Sequence, residues 1–302
     1  MVHSINLPPL DVTGLLRTHG IKPDKRLGQN FLIDESSLHK VVEAARVTPD
    51  DHILEIGPGL GSLTRYLARL AKQVTVVELD KNLIPPLEQV IAPYSNVHIV
   101  VGDILALNPS NLMPVSGFLV VANIPYYITS ALIRHLLEAD LKPKRMVLTV
   151  QREVARRITA EPGDMSLLAL SVQVYGQAEI AAAIPAGAFY PAPQVDSAVV
   201  RVEMYPQPVI PIDQLNVFFR LAKAGFSQKR KTLRNALSGG LAWSPAKTED
   251  LLVSAGIDPG RRAETLSLQE WSRLTSQFIS TPDPDEDTTQ EPQDRADTDY
   301  GA

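Results

Sequence analysis

The chain has 302 residues, 44% of them hydrophobic and 21% charged, no cysteine and a net charge of −5, the profile of a soluble globular protein. The lack of cysteine excludes a disulfide framework, a zinc ribbon and a thiol nucleophile. No stretch approaches the roughly 20 apolar residues of a membrane span, and the start MVHSINLPPLDVTG has neither the basic nor the apolar region of a signal peptide, so a cytoplasmic protein without membrane contact is expected.

At about 100 to 200 residues per domain the length suggests two domains. Residues 1–24 form an N-terminal extension, and Arg26-Leu-Gly28-Gln29-Asn30-Phe31-Leu32 precedes the first core helix without declaring a chemistry of its own. From His52 to Val150 short apolar runs alternate with amphipathic stretches, the mark of βα units around a parallel sheet. Strands are expected at His52–Ile56, Val74–Glu78, Val97–Val101, Phe118–Ala122 and Arg145–Val150, with helices at Ser62–Leu70, Lys81–Ile91 and Thr129–Glu138. In an open parallel sheet the carboxyl ends of the strands border the ligand crevice, so the polar or glycine-bearing segments that end the first four strands can converge on one site.

After Gln151 the pattern predicts a helix to Ile158, another over Ser166–Val174, and two β-rich runs, Glu179–Ile184 and Val195–Tyr205, pairing as an antiparallel hairpin at one sheet edge. Pro206–Pro211 reads as a linker, Asp213 as the N-cap of the next helix, Ser244-Pro245 as a helix start, and Ser267 with Glu270 as a capping box. Residues 1–205 would thus form an α/β domain and 206–280 a small all-helical one. Between Gln214 and Thr248 there is no acid, whereas Arg220, Lys223, Lys229, Arg230, Lys231, Arg234 and Lys247 are basic, a footprint suited to RNA phosphates. A merely solvated helix face is the plainer alternative. Residues 281–302 hold eight acids and one base, a net −7. They are too polar to bury a core and are expected to be disordered. This tail reads as an inert solubilising extension, or as a deterrent to nonspecific RNA binding.

Four strand-end motifs carry the chemistry. Glu55-Ile-Gly57-Pro-Gly59-Leu-Gly61 follows the first strand, where glycine lets backbone approach a ligand and the next helix offers free amides. A dinucleotide fingerprint would need glycine or alanine five positions after Gly57, and Ser62 stands there, which weakens a nicotinamide-dependent oxidoreductase. Glu78 ends the second strand, where a carboxylate can accept both hydroxyls of a ribose. Asp80 is a cap candidate nearby. Asp103, after Gly102, can accept from the exocyclic amine of adenine or simply stabilise a turn.

Asn123-Ile124-Pro125-Tyr126 is the most specific of the four. It resembles the Asn/Asp-Pro-Pro-Tyr type motif of methyltransferases that act on exocyclic amines of nucleobases. Such an amine is a poor nucleophile because its lone pair is delocalised into the ring. Two acceptors, the Asn123 amide oxygen and the Ile124 carbonyl, can draw it towards a pyramidal form, Pro125 can stiffen the loop, and Tyr126 can stack on an extruded base. In Phe189-Tyr190-Pro191-Ala192-Pro193, Phe189 is a candidate for the opposite face of that base sandwich, or a core residue beside a proline turn.

Taken in order, RLGQNFLID, EIGPGLG, VELD, GDIL, NIPY, FYPAPQVDS and AGFSQKRKTLRN resemble the ribosomal RNA adenine N6-dimethyltransferase family over about Lys25 to Phe278. The resemblance implies a Rossmann-like class I methyltransferase with a seven-stranded α/β sheet and a small all-α C-terminal domain. It implies S-adenosylmethionine as donor and adenosines of rRNA as acceptors, with no metal. Cofactor contacts would fall on Asn30, the backbone of Leu32, Gly57, Gly59, Glu78, Asp103 and Asn123. Asn30 and Leu32 come from the resemblance alone. Asn123, Ile124, Pro125, Tyr126 and Phe189 would form the catalytic site, and Lys223, Lys229, Arg230, Lys231 and Arg234 would meet RNA. Gly28 favours the small-subunit type, acting as a monomer on two adjacent adenosines near the 3′ end of 16S rRNA in immature small subunits. The resistance-type large-subunit enzymes usually carry serine at the position of Gly28 and are the runner-up, and an assembly factor with subsidiary methylation is a third reading.

Overall fold

The structure, a computed structural model, describes residues 7–124 and 128–281. In chain order it runs α1 (Val12–Thr18), β1 (Phe31–Leu32), α2 (Glu35–Ala45), β2 (His52–Ile56), α3 (Thr64–Leu70), β3 (Gln73–Glu78), α4 (Ile84–Ile91), β4 (Val97–Val101), α5 (Pro109–Leu112), β5 (Leu119–Asn123), α6 (Thr129–Glu138) and β6 (Arg145–Gln151). There follow α7 (Arg152–Ile158), α8 (Leu167–Gln173), β7 (Gly176–Ile184), β8 (Phe189–Tyr190), β9 (Ser197–Met204), α9 (Leu215–Phe226), α10 (Leu233–Leu241), α11 (Pro245–Ser254) and α12 (Leu268–Ser280).

Seven strands form one sheet in the order β4-β3-β2-β5-β6-β9-β7, parallel from β4 to β6 and antiparallel at β9 and β7. The two-residue period of a strand sorts its side chains between two cores. Leu54, Ile56, Val120, Ala122, Met146 and Leu148 face one apolar cluster, while Ile53, Leu119, Val121 and Val147 face the other with α2 and α3. Both faces are covered, which is why these strands read as continuous apolar runs. The first cluster continues without a break into α9–α12 through Phe218, Leu221, Leu233, Leu237, Leu252 and Trp271.

The expected hairpin is present as the β7–β9 pair, with a bulge between Ile180 and Ala182. The expected capping box of α12 has both halves, and Ser244 caps α11 by accepting from the Lys247 amide at 3.2 Å. Asp213 corrects an expectation. It lies inside a short 3-10 turn, Ile212–Gln214, and α9 begins behind Gln214 with no side-chain cap. The helix expected from Ser62 starts at Thr64, because Gly57, Gly59 and Gly61 all take positive φ and prolong the loop. The one expected from Lys81 starts with a 3-10 turn and becomes α-helical at Ile84, with proline in its first turn.

The N-terminal extension contains α1, an element not anticipated. Asp11 caps it by accepting from the Gly14 amide at 2.8 Å, and Val12 and Leu16 pack on Phe31, Leu60 and Leu83. No helix among the described residues is long and apolar enough to cross a membrane. The acidic tail from residue 282 onward lies outside the described residues.

Candidate functional site

The chain runs from β2 outwards to β3 and β4, then returns to place β5 on the other side of β2, so the β2–β5 boundary is a topological switch point. A crevice of about 1150 Å³, its open mouth included, lies at the carboxyl ends of these strands. Its wall carries Gly57 and Gly59 after β2, Glu78 at the end of β3, Asp103 after β4, and Asn123 and Ile124 at the end of β5. Asn30 and Leu32 complete it from the N-terminal side. All seven residues expected to meet the cofactor therefore line one cavity.

The N-terminal side is held by a two-residue antiparallel pairing, Phe31 opposite Tyr190 and Leu32 opposite Phe189. Gln29 fastens it further. Its side chain accepts from the Asp24 amide and donates to Asp80 Oδ2, both at 2.7 Å. Asp80 also accepts from the Asn82 amide at 3.0 Å, the cap role weighed for it in the sequence. Nothing local in the sequence singles out Gln29, since its partner lies 51 positions away.

Between these walls the glycine loop is tightly enclosed. Gly57 has φ +71°, and a Cβ there would stand 3.4 Å from the carbonyl oxygen of Asn123. Gly59 has φ +58°, and a Cβ would stand 2.8 Å from the Phe31 ring. A side chain at either position would be strained, and at Gly59 it would also collide with the Phe31 ring.

Glu78 is 6% exposed, with Oε2 accepting from the Gly59 amide at 3.2 Å and Oε1 from the Asp80 amide at 2.9 Å. Each carboxylate oxygen retains a lone pair for a ligand hydroxyl. Burial pushes its pKa up, against those amide hydrogen bonds. Glu55, also on the crevice wall, is 1% exposed, and its Oε2 has no hydrogen-bond partner. Burial pushes Glu55 up to about 8, with the Thr64 hydroxyl opposing and the charge of Glu78 adding to the rise. Sequence reasoning passed over this residue, treating it only as the head of the glycine motif. Asp103 Oδ1 accepts from the Leu105 amide at 2.9 Å, so the turn role exists alongside its place on the wall.

Asn123 donates from Nδ2 to the Asn30 carbonyl at 3.0 Å, and Asn30 in turn donates to the Gly28 carbonyl at 3.0 Å. With the nitrogen engaged, Oδ1 is the end left to accept a hydrogen bond from a ligand. The Ile124 amide donates to the Thr149 carbonyl at 3.2 Å, which anchors the turn after β5 to β6. Pro125 and Tyr126 lie outside the described residues.

Phe189 departs from its expected place. It is 4% exposed, packs in the sheet-side cluster with Leu32 and Leu38, and is absent from the crevice wall. Strand alternation explains this, because Phe189 and Tyr190 must point to opposite faces, and it is Tyr190 that is 40% exposed. Of the basic residues, Lys223 lies in the last turn of α9, and Lys229, Arg230 and Lys231 are exposed in the α9–α10 connection. Arg234 differs from them, being paired with Glu249 of α11 at 2.7 Å.

The model of the family described as ribosomal RNA adenine dimethylase matches residues 20–279. Ribosomal RNA small subunit methyltransferase A of Dehalococcoides mccartyi (strain CBDB1) is 47% identical over 270 residues, covering 89% of this chain and 92% of that one. The protein of the same name from Geobacillus kaustophilus (strain HTA426) is 42% identical, covering 87% and 93%. Among solved structures, the 23S rRNA methyltransferase ErmE superposes with a TM-score of 0.68 at 30% identity over 83% of this chain and all of that one. A dimethyladenosine transferase from Plasmodium falciparum gives 0.70 at 26% identity, covering 83% and 98%. A doubly wound sheet with its crevice at the switch point and a family match along nearly the whole chain meet in one conclusion: the chain belongs to the ribosomal RNA adenine dimethylase family, as an S-adenosylmethionine-dependent methyltransferase of Rossmann-like fold.

Proposed function

We propose that this enzyme transfers methyl groups to the exocyclic amines of two adjacent adenosines near the 3′ end of 16S rRNA, acting as a cytoplasmic monomer on immature small subunits. The observation that carries this reading is the Asn123 side chain, turned by its bond to Asn30 so that its oxygen is free on the wall shared with Gly57, Glu78 and Asp103. Relatives named for the small subunit, at 42 and 47% identity, support it over the large-subunit reading, whose structural relative stands at 30%.

The crevice fits the donor. Glu78 offers two carboxylate oxygens to ribose hydroxyls, Asp103 an acceptor for the adenine amine, and Gly57 and Gly59 a cradle that a Cβ would close. Asn30 and the Leu32 backbone complete the contacts from the N-terminal side. When bound, S-adenosylmethionine supplies an electrophilic methyl carbon on a positively charged sulfur. Asn123 Oδ1 and the Ile124 carbonyl accept the two hydrogens of the target amine, which returns its lone pair to nitrogen. Pro125 holds that turn, and Tyr126 stacks on the extruded base. Phe189, buried in the core, acts at one remove by fixing the β1–β8 pair that carries Leu32. The amine proton passes to water after transfer, so orientation and desolvation supply most of the catalysis.

Residues 206–280 are the unit we assign to rRNA, with Lys223, Lys229, Arg230 and Lys231 as phosphate contacts; Arg234 supports that surface through Glu249. The deciding experiment incubates purified immature small subunits with labelled donor and maps the modified bases. Label on two neighbouring adenosines of 16S rRNA is expected. Label on large-subunit rRNA would replace this reading with the large-subunit one.

A further inference from the structure

The face that carries the acid-free stretch meets the root of the acidic tail. Helix α12 ends at Ser280, and Thr281 closes it by donating from its amide to the Phe278 carbonyl at 3.2 Å. The guanidinium of Arg220, on α9, lies over the Phe278 ring at 5.7 Å from its centroid. Phe278 stacks on Trp243, with centroids 5.0 Å apart and planes 11° from parallel, and the Lys247 ammonium lies 3.9 Å over Trp243. Two cations of the basic stretch thus flank an aromatic pair whose Phe278 stands five residues before the first acid of the tail, Asp283.

Charges and reach match. The residues after Thr281 carry eight acids against one base. Besides Arg234, which is engaged by Glu249, the acid-free stretch carries Arg220, Lys223, Lys229, Arg230, Lys231 and Lys247. The first acids, Asp283, Asp285, Glu286 and Asp287, follow within seven residues of Thr281. A span of seven residues reaches at most about 24 Å, which sets the reach of these acids from Thr281. Tethering at such lengths gives effective concentrations in the millimolar range, enough for a weak contact to be populated.

We propose that the acidic tail occupies this basic face and competes there with RNA, so that an RNA held by charge alone is rejected while one that also places an adenosine in the crevice displaces the tail. The inference rests on the reading that this face meets RNA. It implies a specific linkage. RNA that must displace the tail releases fewer counterions on binding than RNA meeting bare cations, so the tail flattens the salt dependence of binding as well as lowering affinity.

The test compares the full chain with a full-length variant in which all eight tail acids are changed to their amides, using a 20-nucleotide oligouridylate that offers no adenosine. The neutral-tail variant is expected to bind about tenfold more tightly at low salt, with a steeper salt dependence and equal affinity at about 0.5 M salt. In Arg220→Gln, Lys247→Gln chains the gain from neutralising the tail should shrink. A gain that stays the same there would mean general repulsion rather than occupancy, and would overturn the proposal. So would equal affinities of the two tails for oligouridylate. Occupancy is also read without RNA: zero-length carbodiimide coupling should join Asp283–Asp287 to Lys223 or Lys247 at low salt and not at high salt, and the absence of such products would refute it. If charge reversal at Lys229, Arg230 and Lys231 leaves RNA affinity untouched while the coupling products persist, the fault lies with the assigned RNA surface and the competition falls with it.

Discussion

Replacing Glu55 by Gln removes the titration of one buried carboxyl while keeping its shape. Its pKa stands near 8 in the folded protein against an ordinary 4.5. The native state therefore holds a proton that the unfolded chain gives up, and stability falls as pH rises from about 4.5 to about 8 before levelling off. The full difference corresponds to about 5 kcal/mol. Between pH 5.5 and pH 8.5, integrating the two titration curves leaves a loss of about 3 kcal/mol. Gln keeps the shape and cannot ionise, so this component disappears, while the titrating groups not coupled to Glu55 remain in both chains and cancel in the comparison. Urea unfolding at about pH 5.5, 7 and 8.5 measures it. The two proteins should be within about 1 kcal/mol of each other at the acid end, with the variant more stable by about 3 kcal/mol more at the alkaline end. Curves that run parallel across this range would refute the reasoning, because they would mean that Glu55 is ionised in the folded crevice or reached by water.

Asn123→Ala should lower kcat by about 100-fold or more while donor affinity, measured by calorimetry, changes by less than about tenfold; a near-normal kcat would remove the acceptor role. Charge reversal at Lys229, Arg230 and Lys231 together should weaken RNA binding and reduce its salt slope by about 3, one per lost phosphate contact. Arg234→Glu should act differently, placing a second acid beside Glu249 and lowering the melting temperature more than it changes the salt slope. Gly225→Ala would set a Cβ 2.7 Å from the Trp271 ring and 3.2 Å from Leu233, a cost of about 1–3 kcal/mol visible in denaturant unfolding. An unchanged midpoint there would show that α9 and α12 are packed less closely than described.

The sequence by itself determined the order of the strands of the large sheet with the helices between them, and the residues at the strand ends. Apolar runs between amphipathic stretches announce a parallel sheet, and in such a sheet β2, β3, β4 and β5 must deliver Gly57, Glu78, Asp103 and Asn123 to the same edge. That part was legible because period and strand polarity are local properties. Gln29 bridging to Asp80, the β1–β8 pair and the turn of the Asn123 amide towards Asn30 were decided only in three dimensions, by contacts between residues 51, 157 to 159, and 93 positions apart. The same holds for burial. The motif around Phe189 says that an aromatic residue stands there, but which face of a two-residue strand turns inward depends on its partner, and pairing with Leu32 sends Phe189 into the core. Arg234 reads as one more free cation until α11 sets Glu249 beside it. Composition and spacing name the groups available to a site, while which of them are already engaged follows from packing, since a hydrogen bond or ion pair is made with whatever the fold brings within about 3 Å.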